Sequence, residues 1–197
     1  FAALLAAALA YIAVRTGDRV ALDFLGGKGA RSIPPRSGRD AFERIALALE
    51  DVEPDGDLSG DKSELERALG QAQRGARRGA IQIVLTDLLD LPSGSLEALT
   101  TLTTRGRVLQ VIQVLAPAER DFPFEGPVQL RALEGKSVVE TDAALSRQNY
   151  LAALAAAQQS AEQQLVPRGG RLLKCATTDA PEQLVRRILS SHSEPTA

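Results

Sequence analysis

Five oxygen-bearing side chains stand where this sequence could do chemistry: Ser63, Thr86, Asp87 and, more loosely, Asp90 and Asp179. Hydroxyl and carboxylate oxygens suit a hard cation such as Mg²⁺, which keeps several waters and needs few protein ligands. Each also has a structural reading. Ser63 is equally a helix cap, Thr86 equally a packing residue, and Asp87 equally the cap of a turn. Other chemistries lack parts. His192 is the only histidine and falls in a polar tail, so a serine or cysteine nucleophile has no base. Cys175 lies in an apolar run, where a buried structural thiol is far commoner than a reactive one. Gly26-Gly27-Lys28-Gly29 lacks the phosphate-loop spacing and leads to a strand, which makes it hairpin chemistry.

The stretch that must position Asp87 is Ile81-Gln82-Ile83-Val84-Leu85-Thr86, an apolar run entered from Gly79 and left through Leu91-Pro92-Ser93-Gly94. It predicts a strand buried on both faces of a parallel sheet. Asp87 then sits at the carboxyl edge, where open α/β sheets bind ligands because loops leave the sheet there and helix N-termini point into the crevice.

At 197 residues and 44% hydrophobic, the chain predicts one well-buried domain over 1–190, with a flexible tail over 191–197. A formal charge of −2, from 23 basic and 25 acidic residues, gives no global field toward nucleic acid or anionic lipid. Arg74, Arg77 and Arg78 have no aromatic residues between them and are read as a solvated helix end rather than a nucleic-acid patch. A single cysteine excludes an internal disulfide and offers no zinc spacing, which fits a reducing, cytoplasmic setting.

In chain order, residues 1–14 predict a helix packed on both sides, with a stripe of Phe1, Leu4, Leu5, Leu9 and Ile12. The run is too short for a membrane span. Arg19–Leu25 predicts a strand returning through Ala30 to Ile33, ended by Pro34-Pro35. Two helices follow, capped by Ser37 and by Ser63. Beyond the Asp87 strand come a short helix on Leu96, Leu99 and Leu102, and a second buried strand over Val108–Leu115. Strand, helix, strand implies a parallel pair with a right-handed crossover. Residues 117–127 read as irregular, followed by an inserted hairpin of 128–133 and 137–141. A long helix from Asp142 to Leu165, a last strand over Arg171–Ala176 and a closing helix on Leu184, Val185, Ile188 and Leu189 complete the chain.

This order, with Gly17-Asp18-Arg19-Val20-Ala21-Leu22, Pro34-Pro35-Arg36-Ser37-Gly38-Arg39, Ile83-Val84-Leu85-Thr86-Asp87, the segment from Ala116 to Pro127, and Thr178-Asp179-Ala180-Pro181, resembles one family. It is the von Willebrand factor A-like domain of the bacterial family called domain of unknown function fifty-eight, encoded beside MoxR-type AAA+ ATPases. The resemblance implies a doubly wound, mostly parallel sheet with a metal-ion-dependent adhesion site at its carboxyl edge, used to bind proteins rather than for catalysis. Asp87 matches that site's late aspartate, and Ser63 stands where the family has threonine. The family's Asp-x-Ser-x-Ser strand, which precedes the Ala-rich helix and lies in the middle of the sheet, has no counterpart in this sequence. The chain therefore reads as a piece lacking three ligands, with Mg²⁺ held weakly or not at all.

The expectation is a doubly wound α/β domain with an inserted β-hairpin, acting as a non-enzymatic interaction module for an AAA+ ATPase or its client. Two alternatives stand beside it: a metal-dependent phosphoryl-transfer enzyme on a related fold, and a scaffold that binds no metal. An enzyme needs a base or nucleophile beside Asp87, whereas an adhesion site needs only an open metal position.

Overall fold

The computed structural model of the chain describes residues 1–25, 32–53, 62–89, 91–131 and 138–193. Three strands, β3 (Ile81–Thr86), β4 (Val108–Leu115) and β7 (Gly170–Ala176), form a parallel sheet in the order β3-β4-β7. β4 is the middle strand, and Leu109, Val111 and Ile112 on it are wholly buried. Continuous apolar character in a parallel strand demands cover on both faces, and the helices supply it.

On one face, Leu65 and Leu69 of α3 (Lys62–Gly75), Leu99 of α4 (Ser95–Thr100) and Ala161 and Leu165 of α6 (Ala143–Leu165) close over Leu109 and Val111. On the other, Leu5 of α1 (Ala2–Arg15) and Leu184, Val185 and Ile188 of α7 (Pro181–Ser193) close over Ile112 and Cys175. Helices on both faces make the sheet doubly wound, as the strand, helix, strand pattern predicts. α2 (Arg39–Asp51) packs beside α1.

Two hairpins stand apart from this sheet. β1 (Val20–Leu22) pairs antiparallel with β2 (Ile33–Arg36), and β5 (Pro127–Arg131) with β6 (Val138–Asp142). The second is the inserted hairpin expected from the sequence. Its tip, 132–137, lies outside the described residues, as do Gly26-Gly27-Lys28-Gly29 and the acidic stretch 54–61.

Several local expectations are corrected. β3 is not buried on both faces along its length: it pairs only with β4 among the described residues, Ile81 is 51% exposed, and Val84 alone is buried. Its apolar composition signals membership of the sheet, while β4 occupies the doubly covered position. Pro34 and Pro35 lie inside β2 rather than ending it: adjacent residues turn to opposite sides of a strand, so the unpartnered side accommodates one missing N–H, and the register shift between the Val20–Arg36 and Leu22–Ile33 pairs accommodates the other. Helix α1 buries Leu5 completely but leaves Leu4 58% exposed. The buried stripe therefore runs through Phe1, Leu5, Ala8, Leu9 and Ile12, because Leu4 is turned about 100° from Leu5. α2 is entered through Gly38, at φ 87, with no side-chain cap, so Ser37 does not cap it. α3 begins at Lys62, which puts Ser63 inside its first turn instead of at its cap. Residues 117–121, irregular by sequence pattern, form the short helix α5 (Pro117–Asp121), with Pro117 in its first turn and the Glu119 carboxylate accepting from Ala116 N–H. α7 runs on to Ser193, past the point where polar composition suggests a tail; residues 194–197 lie outside the described residues.

Candidate functional site

The carboxyl edge is where β3, β4 and β7 all end, at Thr86, Leu115 and Ala176. Because all three strands run parallel, the loops that follow them gather on one side of the molecule. The C-terminal end of α3 is fixed at the opposite edge: Arg107, at the entry to β4 and only 6% exposed, donates to Gln73 and Ala76 carbonyls at 2.9 and 2.7 Å. α3 therefore points its N-terminal turn, with Ser63, toward the carboxyl edge. Leu65, two residues later, shares a core cluster with Leu88, beside Asp87.

Asp87 is exposed and begins a tightly specified turn. Thr86 Oγ1 accepts from Leu88 N–H at 3.1 Å, Asp87 Oδ1 accepts from Leu89 N–H at 2.9 Å, and Gln113 Nε2 donates to the Asp87 carbonyl at 2.8 Å. Leu88 adopts a left-handed φ of 60° with its side chain 7% exposed. A leucine takes that conformation only where its surroundings over-determine it, and here three hydrogen bonds and core burial do so.

The other strand ends follow the same rule. Glu119 Oε2 accepts from Ala116 N–H at 2.7 Å after β4, and Asp179 Oδ2 accepts from Ala176 N–H at 3.0 Å after β7. Each of the three carboxylates thus closes its own loop back onto the backbone. Between β4, β7, α5 and α6 lies a cavity of about 230 Å³ whose lining includes Gln113, Arg120, Gln158, Lys174 and Asp179. Arg120 is gripped by Asp121 at 2.8 and 2.7 Å, which holds the Asp121 carboxyl below its ordinary range. Tyr150 donates its hydroxyl to the Glu119 carbonyl at 2.6 Å and packs on Phe122. Burial pushes the Tyr150 hydroxyl above its ordinary range.

The oxygen ligands expected from the sequence are therefore only partly brought together. Thr86 and Asp87 share one turn, Ser63 lies in the first turn of α3, Asp179 lies across the sheet after β7, and Asp90 falls outside the described residues. Among the described residues no three His, Cys, Asp or Glu side chains are grouped to hold a metal ion. One oxygen of Asp87 is already committed to Leu89 N–H. Among the described residues, Thr86 and Asp87 alone carry too little charge to offset the dehydration of Mg²⁺. Calorimetric titration with Mg²⁺ is expected to give no micromolar binding and to look the same in Asp87→Ala; tight binding abolished by that substitution would establish a site. Cys175 is 7% exposed, and burial first, then the charge of Asp179, raise its thiol pKa, which disfavours the nucleophilic thiolate. The residue that sequence reading misses is Gln113, polar at a position 1% exposed. Its signal is one of two glutamines, with Gln110, inside a strand whose other residues are all apolar.

Residues 1–161 match the family model described as "Protein of unknown function DUF58". No curated protein matches the chain. Two solved structures share the fold. The conserved hypothetical protein BatB from Bacteroides thetaiotaomicron aligns with a TM-score of 0.54 at 16% identity, over 98% of this chain and 87% of that one. An aerotolerance-related membrane protein from Bacteroides fragilis NCTC 9343 aligns with a TM-score of 0.53 at 19% identity, over 96% and 85%. Among the described residues of the present chain, no helix is long and apolar enough to cross a membrane.

Proposed function

The chain belongs to the DUF58 family of proteins of unknown function, and on that premise we propose that it is a non-enzymatic protein-interaction module whose contact surface is the carboxyl edge around Asp87. The observation that carries this reading is the Asp87 turn itself: an exposed carboxylate on a backbone held by three hydrogen bonds and a buried leucine. A rigid presenting turn lowers the ordering cost of binding. The surrounding groups favour contact over catalysis. The carboxylates of Glu119 and Asp179 cap their own loops, and the Cys175 thiol is buried with a raised pKa, which leaves proton transfer and nucleophilic attack poorly served.

The partner class we assign is a MoxR-type AAA+ ATPase or its client, met by a von Willebrand A-like edge. Surface plasmon resonance against the MoxR-type ATPase of the same organism tests this. The wild-type chain is expected to bind, and Asp87→Lys to weaken binding at least about tenfold, the result of losing roughly 1.4 kcal/mol at a contact reversed in charge. Binding indifferent to Asp87→Lys would remove the carboxyl edge from the reading.

A further inference from the structure

A polar row crosses the apolar face of the sheet. Thr86, Gln113 and Lys174 stand in register on β3, β4 and β7, on the face where Leu109, Val111 and Leu165 form the core. Gln113, 1% exposed, uses both ends of its amide: Nε2 donates to the Asp87 carbonyl at 2.8 Å, and Oε1 accepts from Gln158 Nε2 of α6 at 2.8 Å. Gln158 Oε1 in turn accepts from Lys174 Nζ at 3.4 Å, and Lys174 pairs with Glu162 at 2.9 Å on the half-exposed surface. Burying an amide is unfavourable unless its donor and acceptor are both met, and here the arrangement that meets them ties one particular carbonyl, that of Asp87, to the long helix.

We propose that Gln113 is a positioning residue that holds the Asp87 turn in its presenting geometry and, through Gln158, makes that geometry answer to the α6 and β7 surface. This rests on the reading of the Asp87 turn as the contact surface. Leu88, at φ 60°, supplies the reason a tie is needed: its backbone conformation is costly, and the Gln113 bond restrains the turn from the central strand rather than from within the turn. The alternative is that Gln113 only fills space between β4 and α6. Methionine has nearly the same length and volume but no amide, so it separates the two.

Amide hydrogen exchange on the full chain, with no partner present, reads the turn directly through Leu88 and Leu89, whose N–H groups make its internal hydrogen bonds. In Gln113→Met these two amides are expected to exchange about 5- to 10-fold faster, the effect of one lost hydrogen bond, while Val111 and Ile112 keep their wild-type rates. In Gln158→Met, where Gln113 keeps its bond to Asp87 but loses its own anchor, the same amides are expected to exchange about 2- to 4-fold faster. A folded Gln113→Met with Leu88 and Leu89 unchanged overturns the proposal. If Gln113→Met does not fold, Gln158→Met decides alone, unchanged rates overturning the proposal and accelerated ones supporting it. Because no partner enters the measurement, its failure is distinct from a failure of Asp87→Lys to weaken partner binding.

Discussion

Replacing Ile112 with alanine is expected to lower the stability of the chain by about 2–5 kcal/mol, against about 5–15 kcal/mol for a whole domain. Ile112 is wholly buried on the middle strand, in register between Leu85 and Leu173, and its side chain is packed among Leu5 of α1 and Leu184, Val185 and Ile188 of α7. Truncation leaves a cavity between one sheet face and two helices that approach from different parts of the chain, so no single shift can close it. Urea denaturation should show the midpoint falling by about 1–3 M with an unchanged slope. Leu4→Ala is the control: next to the buried Leu5 but 58% exposed, it should change stability by no more than about 0.5 kcal/mol. Equal small effects at both positions would mean that α1 and α7 do not cover this face.

The second large effect concerns the outer edge of β3. With no strand partner there among the described residues, and with Ile81 51% exposed, the edge presents backbone donors and acceptors beside apolar side chains, a template for pairing with another copy. We expect the chain to self-associate. Native pairing makes the thermal midpoint rise with concentration, by about 1.5–3 °C for each tenfold increase in a protein of this size. Ile81→Lys, which places a charge on that edge, should abolish the dependence and reduce light scattering. A single sharp transition at the same temperature across a hundredfold range of concentration would refute the expectation.

What is legible in the sequence depends on how strongly local pattern and tertiary setting agree. α6 is readable to the residue: Asp142 accepts from Ala144 N–H at 2.9 Å as its cap, and Leu165 ends it, because capping is local chemistry. β4 is readable because a strand covered on both faces must be largely apolar, and β7 because Gly169-Gly170 opens it and Leu172, Leu173, Cys175 and Ala176 keep it apolar enough for a sheet. β3 has the same kind of composition and so suggests the same burial, which it does not have, since composition reports fitness for a sheet and not the number of neighbours a strand has. Ser37 and Ser63 carry cap signatures without standing at caps for a related reason: the helix entry at φ 87 falls on Gly38, one residue past Ser37, and a cap signature is shared by residues already inside the first turn. At the candidate site, the turn at Asp87 is legible as the end of an apolar run. Its support is not, because the bond from Gln113 joins residues 26 positions apart and leaves no periodic trace.

The strand order also sets a sequence of assembly. Ile81 meets Val108 across a short crossover through α4, whereas Leu109 meets Gly170 only after the chain has made α5, the β5–β6 hairpin and all of α6. Closing the second loop, more than twice as long, costs about 0.6 kcal/mol or more of additional chain entropy, and non-local pairings are made late for that reason. The β3–α4–β4 unit is thus expected to form first, with β7 arriving on a surface already half built. Gln113 sits at the junction of the two events: its bond to Asp87 belongs to the early unit, and its bond to Gln158 forms only when the long helix docks.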